Sequence, residues 1–216
     1  MTAIMTMQDL SYQVGTKQIL KAINLTIPVG AHYTMTGPSG SGKSTLLRLM
    51  AAMISKTSGT LTFAGQPLMS YDPIEYRRQV SYCFQQPTLF GETVADNLAF
   101  PYQIRQRTPD WAHIKMALAN VGLPTTMLTE SVGTLSGGER QRIALIRNIL
   151  FLPKILLLDE VTAGLDEANK AIIHQWLRQL NVEQQVTTIF VTHDVTEVAA
   201  ADQLLRIVAG RLEDVK

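Results

Sequence analysis

Several features are scarce or absent in this sequence of 216 residues, and each absence excludes some classes of protein. Cys83 is its one cysteine, so no disulfide forms within the chain and a reducing compartment fits. No apolar run approaches the roughly 18 residues that cross a bilayer. The first ten residues lack the basic and long apolar regions of a signal peptide. These absences predict a cytoplasmic protein that reaches a membrane only through a partner.

The charge is nearly balanced, because 19 basic and 18 acidic residues leave a net charge of +1. We therefore do not expect nucleic acid as the main partner. The sequence also has no internal repeat, low-complexity tract or charge run. Cys83 lies in an apolar run with no second cysteine or histidine at ligand spacing, which favours a buried strand thiol over a metal ligand.

Strand patterns occupy both ends of the chain. Residues 3–36 alternate like β-strands interrupted by two turns, and residues 59–64 and 80–84 are predicted to be further short strands. Residues 155–159 and 187–192 are apolar throughout and alternate with predicted helices, before a final hairpin around residues 209–210. Apolar strands that alternate with helices indicate a mainly parallel sheet covered on both faces, and hence an α/β fold.

The middle of the chain has a different character, since strand signals vanish from about residue 93 to 150. One helix is predicted over residues 110–121, ending at Gly122, and a second begins after Ser136 as its N-cap. We interpret this helical stretch as a subdomain inserted into the α/β core.

The stretch GPSGSGKST fits the phosphate-binding pattern G-x-x-x-x-G-K-[ST] and lies between an apolar strand and a helix, as the mechanism requires. Glycines let the backbone curl so that N–H groups point at phosphate oxygens, and the helix dipole adds positive potential. Lys43 is predicted to reach the β- and γ-phosphates and Ser44 to bind Mg²⁺. A glycine-rich turn that matches by chance is the weaker interpretation. The predicted nucleotide-binding residues are Gly37, Pro38, Ser39, Gly40, Ser41, Gly42, Lys43, Ser44 and Thr45.

The stretch ILLLDE, residues 155–160, supplies the expected carboxylates at the end of an apolar strand, where ligands bind in such folds. Asp159 is predicted to hold Mg²⁺ through water, and Glu160 to act as general base on the attacking water. Such a stretch is common in other proteins, and it becomes a candidate site only because the phosphate loop is also present.

GTP is disfavoured, since the guanine-reading pattern Asn-Lys-x-Asp is absent. Tyr12 is a candidate for stacking on adenine, with strand packing as the alternative.

The stretch TLSGGERQR, residues 134–142, is a second anion-binding motif, in which Ser-Gly-Gly opens a helix. Because one γ-phosphate has no need of two such motifs from one chain, we infer that this motif serves the nucleotide of another copy. The motif resembles the signature of ABC ATPases, and the resemblance covers essentially the whole chain. It implies one P-loop NTPase domain, with an N-terminal antiparallel β subdomain, a core lobe at 1–85 and 147–216, and a helical subdomain at about 86–146.

The resemblance also implies roles for further residues. Gln85 resembles the loop glutamine that contacts Mg²⁺ and the permease, and residues 163–166, ending at Asp166, resemble a loop that contacts the dimer partner. His193 resembles the histidine that senses the γ-phosphate, although alone it would more often be a structural hydrogen-bond donor. The implied protein is a head-to-tail homodimer with two ATP molecules at its interface. Each ATP would contact the signature residues of the opposite subunit, namely Ser136, Gly137 and Gly138.

The implied partner is a permease on a separate chain, docked around residues 85–97, which would hold the protein at the inner face of the membrane. Val161 stands where many family members have proline after the two acids. This residue and residues 80–110 resemble a bacterial subgroup linked to iron export and metal homeostasis, the Fet type.

Other functional classes fit less well. A small-molecule kinase has no use for the signature, a chromosome-maintenance ATPase needs a long heptad insertion, and a translation-factor ATPase carries two cassettes. The direction of transport, import or export, stays open at this point.

Overall fold

The structure, a computed structural model, describes residues 2–213 and forms two compact units. The first unit comprises residues 1–82, 153–160 and 181–216, and the second comprises residues 83–152 and 161–180. The second unit contains the segment 86–146 that we predict as the helical subdomain. It also takes in residues 161–180, which the prediction leaves in the core lobe.

An antiparallel sheet forms one part of the first unit, with the strand order β2-β1-β4-β5. This sheet confirms the predicted N-terminal β subdomain. Met5 and Met7 are buried in the strand that begins at Ala3, where they pack in the core. The strands are β1 (Ala3–Val14), β2 (Lys17–Pro28), β4 (Ser58–Phe63) and β5 (Gln66–Pro67).

A mainly parallel sheet, with strand order β10-β9-β3-β8-β7-β6, carries the phosphate loop. β3 runs parallel to both β8 and β9, β7 runs parallel to β8, and β10 is antiparallel to β9. Every residue of β7 and β8 is buried, including Asp159 at the end of β7 and the two threonines that begin β8, and burial on both faces is typical of parallel strands. The strands are β3 (His32–Thr36), β6 (Val80–Cys83), β7 (Ile155–Asp159), β8 (Thr187–Val191), β9 (Leu204–Val208) and β10 (Arg211–Glu213).

The helices that accompany these sheets are α1 (Lys43–Met50), α2 (Pro73–Gln79) and α7 (Val195–Ala199). The sequence patterns do not predict α2, although Asp72 caps it by accepting hydrogen bonds from the Ile74 and Glu75 N–H groups.

Cys83 at the end of β6 is a buried free thiol, as predicted, and burial raises its pKa to about 12.

The second unit is helical, with α3 (Val94–Gln103), α4 (Trp111–Asn120), α5 (Gly137–Ile149) and most of α6 (Glu167–Gln184). The prediction that Ser136 is the N-cap of α5 is confirmed. Gly122 follows α4 with a φ of 67°, a left-handed conformation typical of a residue just after a helix end. No helix among residues 2–213 is both long and apolar enough to span a membrane.

Candidate functional site

The phosphate loop connects β3 to α1 and depends on glycine at two positions. Gly37 has a φ of 138°, and a Cβ added there would lie 2.0 Å from the Ile207 carbonyl oxygen. Gly42 has a φ of 111° directly before α1. A side chain at either position would be strained, because L-residues rarely adopt such φ values. The predicted residues Pro38, Ser39, Gly40 and Ser41 occupy the loop between them, and Thr45 lies in α1.

Lys43 is the first residue of α1, and its side chain folds back over the loop. Its Nζ donates hydrogen bonds to the carbonyl oxygens of Gly37 at 2.8 Å and Pro38 at 3.0 Å. Burial lowers the pKa of Lys43, while the nearby carboxylates of Glu160 and Asp159 act in the opposite direction. A buried ammonium group beside glycine-rich backbone is suited to a phosphate ligand.

Asp159, at the end of β7, is buried and hydrogen-bonded through both carboxylate oxygens. Ser44 Oγ donates to Oδ1 at 3.0 Å, and the Tyr82 hydroxyl donates to Oδ2. Burial, followed by the hydrogen bond to Asp159, raises the pKa of Tyr82 above its usual range. The Ser44 hydroxyl and the Asp159 carboxylate are oxygen donors of the kind that Mg²⁺ prefers, so the residues present fit this ion.

Glu160 follows directly and points its carboxylate at His193. The two side chains meet with His193 Nε2 2.9 Å from Glu160 Oε1. Glu160 has a φ of 51°, and its N–H donates to the Val191 carbonyl oxygen at 3.1 Å. The contact follows from the sheet order, because β7 and β8 are neighbours and each leads into one of these residues. The structure thus joins two residues that sequence analysis considers separately.

Tyr12, the candidate for adenine stacking, lies on β1 opposite Leu20 of β2. Its side chain is half-buried and packs against the hydrophobic core of the first unit. The same ring therefore offers one part for packing and one part for a ligand, and its adenine role stays a prediction.

The signature residues Ser136, Gly137 and Gly138 lie in the second unit at the start of α5. Ser136 Oγ donates to Glu139 Oε2 at 2.7 Å and accepts from the Glu139 N–H at 3.3 Å. The bond from the Ser136 hydroxyl, followed by a second one from the Ser136 N–H to the same oxygen at 2.8 Å, lowers the pKa of Glu139. A Cβ added at Gly138 would lie 3.0 Å from Leu165 Cδ2, whereas one added at Gly137 would meet open space.

Asp166 precedes α6 and is held by Asn169, whose N–H and Nδ2 each donate to it at 2.8 Å. Asn169 Oδ1 in turn accepts from Arg142 Nη1 at 2.6 Å. The N–H bond and then the side-chain bond from Asn169 lower the pKa of Asp166. Gln85 is exposed in the same unit.

Asn97 is a residue whose importance sequence analysis missed. It is fully buried, and its Nδ2 donates to the carbonyl oxygens of Phe90 at 2.6 Å and Thr93 at 3.0 Å. Its Oδ1 accepts from Arg147 Nη1 at 3.0 Å, and Arg147 Nη2 donates to the Thr88 carbonyl oxygen at 3.0 Å. The sequence signal that could have indicated its burial is a polar amide side chain among the apolar residues of α3. This pair holds the chain over much of the predicted docking segment, residues 85–97.

Residues 20–163 match the ABC transporter family, and the chain belongs to that family. It is the ATP-binding subunit of an ABC transporter and an ATPase. The chain is 46% identical over 215 residues to "Probable iron export ATP-binding protein FetA" of Escherichia coli (strain K12), covering 99% of this chain and 96% of that protein. It is 38% identical to a sulfate/thiosulfate import ATP-binding protein, CysA of Nephroselmis olivacea, covering 96% of this chain and 61% of that protein.

Solved structures confirm the fold. The ATP-binding cassette MJ0796, solved as a dimer in a post-hydrolysis state with ADP and Pi, superposes with a TM-score of 0.87 at 27% identity, covering 97% of both chains. A bacterial Atm1-family ABC exporter with ATP bound also gives a TM-score of 0.87, at 26% identity, covering 97% of this chain and 38% of that one.

Proposed function

We propose that this chain is the ATPase of a transporter that exports iron or another metal ion through a separate permease. The observation that carries the proposal is the 46% identity to a probable iron-export ATPase, which extends over nearly the full length of both proteins. Residues 80–110 and Val161 support it, because they resemble the same subgroup. Import of another solute is the second candidate, favoured by the 38% identity to sulfate/thiosulfate import proteins.

In this proposal the first unit binds the nucleotide. Lys43 and the backbone N–H groups of the phosphate loop hold the β- and γ-phosphates, while Ser44 and Asp159 hold Mg²⁺. The role of Gln85, in the second unit, stays the one that the family resemblance implies. When bound, Mg²⁺ would neutralise phosphate charge. The observation in support is the burial of Lys43 and Asp159 beside the loop.

Glu160 takes the proton of the attacking water, and His193 senses the γ-phosphate. The 2.9 Å contact between their side chains supports this pairing, since a base that is oriented by a second group keeps a productive direction. His193 is the more exposed partner, with 44% of its side chain accessible against 19% for Glu160. It is therefore the one with access to an incoming phosphate.

The second site acts across a homodimer. Ser136, Gly137 and Gly138 contact the ATP of the partner subunit, and Asp166 belongs to a loop at the dimer contact. The Gly-Gly start of α5 supports this role, because unpaired N–H groups at a helix start bind anions. The dimer of the related cassette MJ0796 supports the assembly.

Replacing Tyr12 tests the adenine site. We expect Tyr12→Ala to weaken ATP binding by about 1–3 kcal/mol, the range for stacking of a base on an aromatic ring. Tyr12→Phe keeps the ring and should retain the affinity. Isothermal titration with ATP measures both variants. Equal affinities for parent and Tyr12→Ala would return Tyr12 to strand packing.

A pull-down from solubilised membranes of the native host tests the transporter assignment. Glu160→Gln with Mg-ATP serves as bait, and mass spectrometry identifies the captured chains. We expect a multi-spanning permease at the inner face of the cell membrane. Ribosomal or DNA-associated proteins without a membrane protein would instead indicate a non-transport ABC ATPase.

A matched pair of variants locates the docking surface in the same experiment. Phe84 is 47% exposed and directly precedes the predicted docking segment, and Met116 is 66% exposed on α4 and lies outside that segment in sequence. Phe84→Asp should lose the permease and Met116→Asp should retain it. Iron content of cells that lack the captured permease then separates export from import, because loss of an exporter raises it.

A further inference from the structure

We propose that Tyr82 is a positioning residue for the Mg²⁺ site, which it serves by fixing the direction of the Asp159 carboxylate. This inference rests on the proposed function, in which Ser44 and Asp159 hold the ion. It adds a tyrosine that belongs to neither the phosphate loop nor the acidic strand end.

The geometry comes from two neighbouring strands. Tyr82 lies on β6 and Asp159 at the end of β7, and these strands are adjacent in the sheet. Both side chains are buried, with 8% of Tyr82 and 4% of Asp159 accessible. The Tyr82 hydroxyl donates to Asp159 Oδ2, while Ser44 Oγ donates to Oδ1.

Two donors on different oxygens restrain a carboxylate more than one donor does. With Ser44 alone, the Asp159 carboxylate would be free to rotate about its terminal bond, because that torsion has broad, low barriers. The Tyr82 hydroxyl removes this freedom and fixes the plane in which the oxygens can face a metal or its water. Groups that hold metal ligands in this manner typically change metal affinity by about 10- to 100-fold when they are mutated.

Arg48 connects the tyrosine to the helix that carries the phosphate loop. Its guanidinium lowers the pKa of the Tyr82 hydroxyl, against the larger effect of burial. Arg48 is four residues after Ser44 on α1, so the two lie on the same side of the helix, one turn apart. The donor to Asp159 Oδ1 and the cation that acts on the donor to Oδ2 therefore both belong to the helix that begins at the phosphate loop.

Tyr76 provides a matched control, because it is a second buried tyrosine of the first unit with a hydrogen-bonded hydroxyl. Its hydroxyl donates to the backbone carbonyl oxygen of Met50, which takes no part in the metal site. Removing either hydroxyl removes one buried hydrogen bond. Only the Tyr82 bond ends on a proposed metal ligand.

The experiment measures the ATP affinity of the parent, Tyr82→Phe and Tyr76→Phe by titration with ATP, first in the presence of Mg²⁺ and then in the presence of EDTA. Thermal unfolding of the same three proteins is measured alongside. For Tyr82→Phe we expect the affinity gained from Mg²⁺ to fall by about 10-fold or more, with the EDTA affinity unchanged. Tyr76→Phe should keep the whole gain, whatever its effect on unfolding temperature.

A double-mutant cycle with Asp159→Asn completes the test. Tyr82→Phe should have no further effect on the Mg²⁺ dependence of ATP affinity in the Asp159→Asn background, because Tyr82 acts only through the Asp159 carboxylate that this background already lacks. Three results would each overturn the inference. Tyr82→Phe could keep the whole increase in ATP affinity that Mg²⁺ gives the parent, or its ATP affinity could fall equally in EDTA. The effects of the two substitutions on Mg²⁺ dependence could also be additive in the cycle. A parent protein that binds ATP without any magnesium gain would overturn the proposed metal site itself, which separates the two failures.

Discussion

ATP hydrolysis by Glu160→Gln is expected to fall by about 100- to 10,000-fold, the usual contribution of a general base, while ATP binding is retained. Glutamine has nearly the same shape and still accepts a hydrogen bond from His193, whose Nε2 lies 2.9 Å from the Glu160 carboxylate. It cannot take a proton from water at neutral pH. Phosphate release measures the rate, and light scattering with Mg-ATP should show a stable dimer, since the nucleotide that holds the subunits together persists.

Glu75→Gln is the matched control, because Glu75 is an exposed carboxylate of the first unit that pairs with Arg78 at 2.6 Å. It should hydrolyse ATP at the parent rate. A Glu160→Gln variant that also keeps the parent rate would show that another group removes the proton, and would remove Glu160 from its proposed role.

The second large effect is expected for Lys43→Ala, which should lose tight ATP binding. A hydrogen bond to a charged group contributes about 1.5–3 kcal/mol, so the affinity should fall roughly 10- to 150-fold. The loss occurs because Lys43 is a buried cation whose ammonium group lies against the loop that would hold the phosphates. Titration calorimetry with ATP in the presence of Mg²⁺ measures it.

Thermal unfolding belongs beside that titration, because Lys43 also donates to two loop carbonyls and its removal can loosen the loop. Lys56→Ala removes an exposed lysine from the same unit and should change neither affinity nor stability. Parent-like ATP affinity in a folded Lys43→Ala variant would contradict the phosphate role of Lys43.

Local pattern predicted the elements that surround the site. The phosphate loop, β7 and the start of α5 carry their signals in adjacent residues: glycines at set spacing, a continuous apolar strand, and a serine followed by Glu139 in a capping box. Each of these signals is local, so no knowledge of distant neighbours is needed to interpret it.

The sequence patterns do not reveal two helices, α2 and α3, because the local signals for these helices are weak or conflicting. α2 is only seven residues long, so its apolar period is too short to detect, and Asp72 before Pro73 was the remaining signal. α3 contains Pro101, which argues against a helix interior, and its capping box of Thr93 and Asp96 outweighs that proline.

Contacts across strands were beyond sequence analysis. The pairing of Tyr82 with Asp159, and that of Glu160 with His193, depend on which strands are neighbours in the sheet. Strand order is a property of the whole chain, and no nearby residue encodes it. The membership of residues 161–180 in the second unit is similar, since it includes the bond from Arg142 to Asn169.

The strand order also sets a sequence of events during synthesis. β3 leads into the phosphate loop near the start of the chain, yet both of its neighbours, β8 and β9, come from residues 187–208. The loop also gains a hydrogen bond from the Gly210 N–H to the Ser41 carbonyl oxygen. In a nascent chain, β3 therefore lacks both of its sheet neighbours until residues 187–208 leave the ribosome. Nucleotide binding would then report that these late strands have paired with β3.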